Sequence, residues 1–322
     1  MVGAQGSPYL EPDKVQIGLN GKYQYSFRHF TGDNEDKSRD KLNTEVKNTV
    51  YLFTFDYTYG WSDQTQVSVS IPYQIAERSQ TNRDFPGERR ISHANGIGDV
   101  TLNAFHWLLD VKENVDQNVG IGVGLKVPTG EDSVQDSRKG KDSTGNTILV
   151  TSTVDQSIQP GDGGWGFVLS LYGFKQLGIF TPYAFGSYLF NPQEKNGAAT
   201  GRSKAGEDIM SIPDSYLVRV GTMFEIPQVE GLSAGVGLRM EGVPIRDVIG
   251  KDAGFRRPGY AISVEPQVVY ASGKDVISLA VPWAWIRNRQ RSVADQTVGG
   301  HGDAAFADYL ILIGWSRRLR CS

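Results

Sequence analysis

The chain has 322 residues and a formal net charge of only −3, a balance that offers nucleic acid no basic face and argues against such a partner. No run of about 18 apolar residues occurs, which excludes a membrane-spanning helix. The single cysteine, Cys321, leaves neither a disulfide framework nor a cysteine-based metal site within one chain.

At the N-terminus, Met1 to Gly6 has neither the basic start nor the apolar core of a secretory signal. An exported protein would therefore be present here in mature form, with its signal removed and a Met added. Residues 1–13 are expected as a periplasmic segment and 14–319 as a single domain.

Period-two alternation then begins. Val15, Ile17, Leu19, Tyr23, Tyr25 and Phe27 share one parity, and Lys22, Gln24 and Arg28 the other. Tyr51 to Trp61 alternates against Thr54, Asp56 and Thr58, and Val67 to Ile75 against Gln66, Ser68 and Ser70. Val119 to Val127 alternates against Gly120, Gly122, Gly124 and Lys126. Weaker versions recur near 97–109, 164–176, 180–191, 215–226, 232–245, 259–271, 275–287 and 305–318.

The connections alternate too. Short ones fall near Ser62-Asp63, Lys112–Asp116, Leu177-Gly178, Gln228–Gly231 and Ser272–Lys274. Long polar ones fall near 29–46, 78–95, 129–162, 193–214, 247–256 and 288–303. Aromatic residues sit toward run ends and aliphatic residues in the middles, as in girdles flanking a lipid-facing band. The predicted fold is all-β: a transmembrane antiparallel up-and-down β-barrel of about 12 strands, with short periplasmic turns and long extracellular loops. A soluble sandwich explains the alternation but neither the loop sorting nor the run length. Pro72, Pro182, Pro266 and Pro282 fall inside these runs. A closed barrel has no edge to host them, so bulges or interrupted pairing are expected there.

The search for catalytic motifs is negative: no G-x-S-x-G, H-E-x-x-H or Walker loop is present. Gly161 to Gly166 fits G-x-G-x-x-G but ends a loop and opens a strand, the reverse of a dinucleotide site. His29, His93, His106 and His301 lack paired spacing and read as solvated loop residues. No enzyme activity, cofactor or metal is expected.

The polar parity carries Lys22, Asp56, Asp99, Lys126, Arg219, Glu225, Arg239, Glu241 and Glu265. These are the candidate lumen residues, since a charge facing lipid at the midplane costs about 2–4 kcal/mol. Their mixed signs suggest pairing across the lumen, with a local network among Arg219, Arg239, Glu241 and Glu265. Such a network either orders a passing solute or fills and stiffens a narrow barrel. Arg239 and Glu241 are the leading solute contacts. The 129–162 loop is long enough to fold inward, though its charges equally suit a solvated loop. Arg83, Arg89 and Arg90 read either as contacts to lipid-A phosphates or as a solvated loop.

Several segments resemble a known family: Gly96-Ile97-Gly98-Asp99-Val100, Lys126-Val127-Pro128-Thr129-Gly130, Glu241-Gly242-Val243-Pro244 on to Ile249-Gly250, Gly254 to Tyr260, and Gly302 to Tyr309. They resemble the bacterial outer-membrane proteins labelled transporters of the meta-pathway of phenol degradation. The resemblance implies an outer-membrane barrel passing small hydrophobic or aromatic compounds. Its partners would be a small-molecule solute, outer-membrane lipid and lipopolysaccharide. The chain departs from many such barrels by ending Arg320-Cys321-Ser322 rather than on an aromatic residue. The first functional expectation is a passive outer-membrane channel or transporter for small solutes. An alternative is a structural barrel with an occluded lumen that holds a protein partner. A lipid-modifying enzyme comes last.

Overall fold

A computed structural model describes residues 9–320. Among them, 12 antiparallel strands close into one barrel. They are β1 (Lys14–Thr31), β2 (Lys47–Gly60), β3 (Thr65–Thr81), β4 in two segments (Arg89–Ile97 and Val100–Trp107), β5 (Gln117–Val127) and β6 (Gly166–Lys175). They continue as β7 (Phe180–Phe190), β8 (Ser215–Glu225), β9 (Leu232–Val243), β10 (Gly259–Ser272), β11 in two segments (Asp275–Ala280 and Trp283–Arg289) and β12 (Ala304–Arg320). Each pairs with the next, and β12 returns to β1 in a ladder from Lys14–Arg320 to Phe30–Ala304. The segment Met1 to Gly6, Cys321 and Ser322 lie outside the described residues.

Outward side chains form a bare apolar belt: Leu19, Phe53, Val123, Leu171 and Ile313 are 43–57% exposed. Water tolerates only patches of a few hundred Å2 on a monomer, and a sandwich would have buried this face. The inward face of β5 is glycine for a steric reason. A Cβ on Gly120 would stand 2.4 Å from the Phe105 ring, and one on Gly124 2.3 Å from Asn103 Oδ1.

The prolines sit where ladders are interrupted. Between the pairs Tyr73–Ile97 and Ser70–Thr101, β4 advances four residues against three on β3, a bulge at Gly98-Asp99 opposite Pro72. Gly98 N–H still donates to the Pro72 carbonyl at 2.8 Å. Pro266 faces the interruption at Val281-Pro282, spanned by Val281 N–H to the Pro266 carbonyl at 3.0 Å. Pro182 lies just past the last β6–β7 ladder pair, Phe174–Tyr183.

Strand length brings one correction. The expected 78–95 connection is mostly strand, since β3 runs to Thr81 and β4 starts at Arg89. Beyond the lipid the outer face carries Glu77, Ser79 and His93, so the apolar alternation fades while the ladder continues. β1 has 18 residues and β3 and β12 have 17, against about 9–11 needed to cross a bilayer. The surplus raises the wall on the long-loop side.

The long loops carry their own structure: a hairpin of Gln135–Lys141 with Thr147–Thr153, a small ladder of Lys195–Ala199 with Ile209–Ser211, and a short helix Val293–Val298. At the opposite mouth the chain before β1 turns inward. Tyr9 packs on Trp107 at 5.0 Å between ring centres and donates its hydroxyl to the Asn114 carbonyl at 2.6 Å.

Candidate functional site: the barrel lumen

Three layers of inward side chains fill the lumen. The layer nearest the short turns is aromatic. Phe105 and Trp107 from β4, Tyr172 and Phe174 from β6, and Tyr183 from β7 each take the inward parity of their strand. Trp107 meets Phe105 at 5.0 Å and Tyr172 at 5.8 Å, both edge to face. These rings border a cavity of about 570 Å3. Trp107 is 3% exposed, and its indole N–H is buried without an acceptor. Asp56 also lines the cavity, accepting from Asn20 and Ser70 at 2.5 Å each. Glu225 lies at its rim, exposed, 3.4 Å from Gln176, and so belongs to the mouth rather than to any constriction.

The middle layer is ionic. Glu265 on β10 is fully buried and accepts from Arg219 Nε on β8 at 2.8 Å, with a second contact to Arg219 Nη2. Its other oxygen lies 3.5 Å from Arg239 Nη1 on β9. Arg239 in turn donates to Glu241 at 2.6 Å. Lys22 of β1 interacts electrostatically with both Glu241 and Arg239. Gln267 extends the chain by donating to the Tyr183 hydroxyl at 2.5 Å. Five of the predicted lumen residues thus meet in one network: inward residues on β8, β9 and β10 stack at one level, and Lys22 faces them from β1.

The third layer, toward the long loops, is built by residues from the loops themselves. The 129–162 segment folds inward: Val154 and Ile158 are buried against Val50, Ala76 and Ala94 on the inner faces of β2, β3 and β4. Asp155 accepts from Arg257 at 2.9 and 2.7 Å and lies 3.4 Å from Arg78 of β3. Burial alone would raise the Asp155 carboxyl; Arg257 and Arg78 hold it well below the usual carboxylate range. Beside it, Arg256 and Asp247 form a fully buried pair at 2.7 Å.

Asp99 and Lys126 lie where the inserted loop leaves and rejoins the wall. Asp99 stands in the β4 bulge, where it accepts from the backbone N–H of Gly130 at 3.0 Å and of Asp162 at 3.1 Å. Lys126 binds Asp162 and lies 3.8 Å from Asp99. Together they clamp both ends of the inserted loop to the wall, and neither borders the aromatic cavity. The arginines read either as lipid-A contacts or as a solvated loop also divide. Arg89 is tied to the Glu45 carbonyl at 2.8 Å, while Arg90 takes the inward parity of Arg78 and Ser92. His29 is buried in β1 rather than solvated, 2.6 Å from Asp303. No group of three or more metal-ligating side chains occurs among the described residues.

The loops are anchored by carboxylates that resist acid. Burial works to raise Asp295 and Asp303, but Lys204 and Ser292 hold the first at about 2, and His29 and Arg39 the second at about 2. A carboxyl held below its unfolded value of 3.8 contributes stability above that value and loses it as pH falls through the folded one. Limited proteolysis of the loops is therefore expected to be unchanged from pH 7 to about pH 4.5 and to rise sharply only toward about pH 2.

The residues that sequence reasoning missed are Asp155, Asp162, Arg78 and the aromatic ring cluster. Arg78 continues the inward parity of Gln74 and Ala76, a usable signal. Asp155 and Asp162 carry none, since loop residues have no periodicity.

No protein-family model and no curated protein matches the chain. Among solved structures it is similar to an outer-membrane channel from Pseudomonas putida F1, with a TM-score of 0.65 and 13% identity over 99% of this chain and 100% of that one. It is also similar to the β domain of the Bordetella autotransporter Brka, with a TM-score of 0.50 and 11% identity over 95% of this chain and 100% of that one. At such identities the likeness is one of fold: a closed barrel of the outer-membrane type.

Proposed function

We propose that the protein is a passive outer-membrane channel for small solutes with an aromatic or other apolar body. The aromatic cavity carries this reading. Its volume of about 570 Å3 falls in the range of about 300–1,000 Å3 typical of small-molecule sites, which pair apolar walls with a few placed polar groups. Trp107 N–H supplies a donor for a hydroxyl or carbonyl on the solute, and Asn20, Asp56 and Ser70 give the adjoining wall of β1 to β3 a polar strip. The similar channel from Pseudomonas putida F1 supports conduction as the role of the fold. The ionic layer would then act as a selectivity step, with Arg239 and Glu241 as its solute contacts.

The test is single-channel recording of the refolded protein in a planar bilayer, with heat-modifiable gel migration confirming insertion. Discrete current steps are expected, reduced by added phenol, and R239Q/E241Q should shift the reversal potential in a salt gradient. An unshifted potential would remove Arg239 and Glu241 from the pathway.

A second reading is favoured by the inserted 154–160 segment and the closely paired middle layer. In it the barrel is occluded and serves to hold a protein partner. Silence from folded, inserted protein together with a co-purifying partner would select it.

A further inference from the structure

A second cavity, of about 510 Å3, lies at the long-loop end and shares no lining residue with the aromatic one. Its floor is the inward face of β3 and β4, and its other walls come from the 135–153 hairpin and the 200–207 loop. Six arginines and lysines line it against three carboxylates. The cations fall into two classes. Arg78 is matched to Asp155 at 3.4 Å, and Arg202 and Lys204 to Glu207 at 3.3 and 3.0 Å. Arg83, Arg90 and Arg138 have no ion-pair partner among the described residues.

Arg90 and Arg138 are poorly satisfied in other ways, while Arg83 is exposed. Arg90 donates to Ser152 Oγ at 3.3 Å, and its Nε is buried without an acceptor. The Nε of Arg138 is buried without an acceptor as well. Burial, and then the Arg138 charge across the gap between wall and hairpin, lowers the Arg90 guanidinium, against the weaker opposing pull of Asp136, Asp155 and Asp84. Burial, and then the Arg257 charge, lowers the Arg202 guanidinium on the loop side. Like charges gathered round a cavity weaken the packing of wall, hairpin and loop unless something negative stands between them.

We propose that this cavity binds a multivalent oxyanion, a phosphate or polycarboxylate solute from the external medium, with Arg83, Arg90 and Arg138 as its anchors. Guanidinium forks match the oxygens of phosphate and carboxylate in paired hydrogen bonds. The bound charge would offset the local excess and join the hairpin to the wall. A soluble anion fits better than a lipid headgroup, because Arg90 has the inward parity while Ile91 and His93 face outward. The site is separate from the aromatic cavity, so its fate does not depend on what passes there.

The experiment is calorimetric titration of inorganic pyrophosphate into the refolded protein in a zwitterionic detergent. Saturable binding is expected, weakened by added sodium chloride. R90Q/R138Q should bind about a hundredfold more weakly, since two charge-assisted contacts are lost. K112Q, at a short turn on the other side, should bind like the unaltered protein. R83Q sits on an exposed turn and tests the same anchor set should the double variant fail to fold. The proposal is overturned if folded protein gives no binding, or if R90Q/R138Q and R83Q bind pyrophosphate as tightly as the unaltered protein. It is equally overturned if only vesicles containing lipopolysaccharide bind while pyrophosphate does not.

Discussion

Replacing Asp155 with asparagine is expected to enlarge the single-channel conductance several-fold. Asp155 is the one carboxylate between Arg257 at 2.7 Å and Arg78 at 3.4 Å, and all three side chains are under 20% exposed. Removing one partner of a buried ion pair costs about 3–5 kcal/mol, because the remaining charges are left uncompensated. The Asp99 and Lys126 clamp fixes the ends of the loop, but between them the contacts that hold residues 154–158 to the wall are modest apart from this ion pair. Gln74 donates to the Ile158 carbonyl at 2.8 Å, Gln156 donates to the Ser211 carbonyl at 2.7 Å, and Val154 and Ile158 pack on the wall. Each neutral hydrogen bond contributes only about 0.5–1.5 kcal/mol. D155N should therefore shift the segment outward by about two orders of magnitude in population. Current steps of unaltered size, with no faster labelling of a cysteine placed at Ser157, would show that the segment is held by packing instead.

Glu265→Gln is expected to cost the barrel about 3–5 kcal/mol of stability and to turn its selectivity toward anions. Glu265 is fully buried and serves two guanidiniums, so an amide there removes the carboxylate that Arg219 and Arg239 share and leaves Glu241 on Arg239. Urea titration of the folded barrel reads the first effect and the reversal potential in a salt gradient reads the second. Glu225→Gln provides the contrast. It removes a charge of the same sign from an exposed rim, where substitutions usually stay within about 0.5 kcal/mol.

The wall was legible in the sequence because lipid imposes a rule on every second residue. That rule placed Leu19, Phe53, Val123 and Ile313 outward, and it put Arg219, Arg239, Glu241 and Glu265 on a common inner face before any contact was known. It failed where both parities are apolar. Leu102, Ala104, Phe105 and Trp107 give β4 no clean alternation, so the aromatic layer stayed hidden. It was silent in the loops, where Asp155 finds Arg257 across 102 positions of chain through a tertiary contact. Asp99 and Lys126 show a subtler limit: parity carries no sign of the bulge and inserted loop that give Asp99 backbone N–H groups and Lys126 the Asp162 carboxylate to hold.

The ladder between β1 and β12 sets Lys14 against Arg320, and this has a consequence for how the protein must be made. Among the described residues no ladder pair joins positions further apart along the chain, so loop-closure entropy delays this pairing more than any other. Until it zips, the other strands form an open sheet with two bare edges, each a template for pairing with another chain. A chaperone or assembly factor that occupies β1 or β12 would thus protect an intermediate that is otherwise prone to aggregate. Truncation into either strand should yield not a smaller barrel but an unclosed sheet that is lost to aggregation before it reaches the membrane.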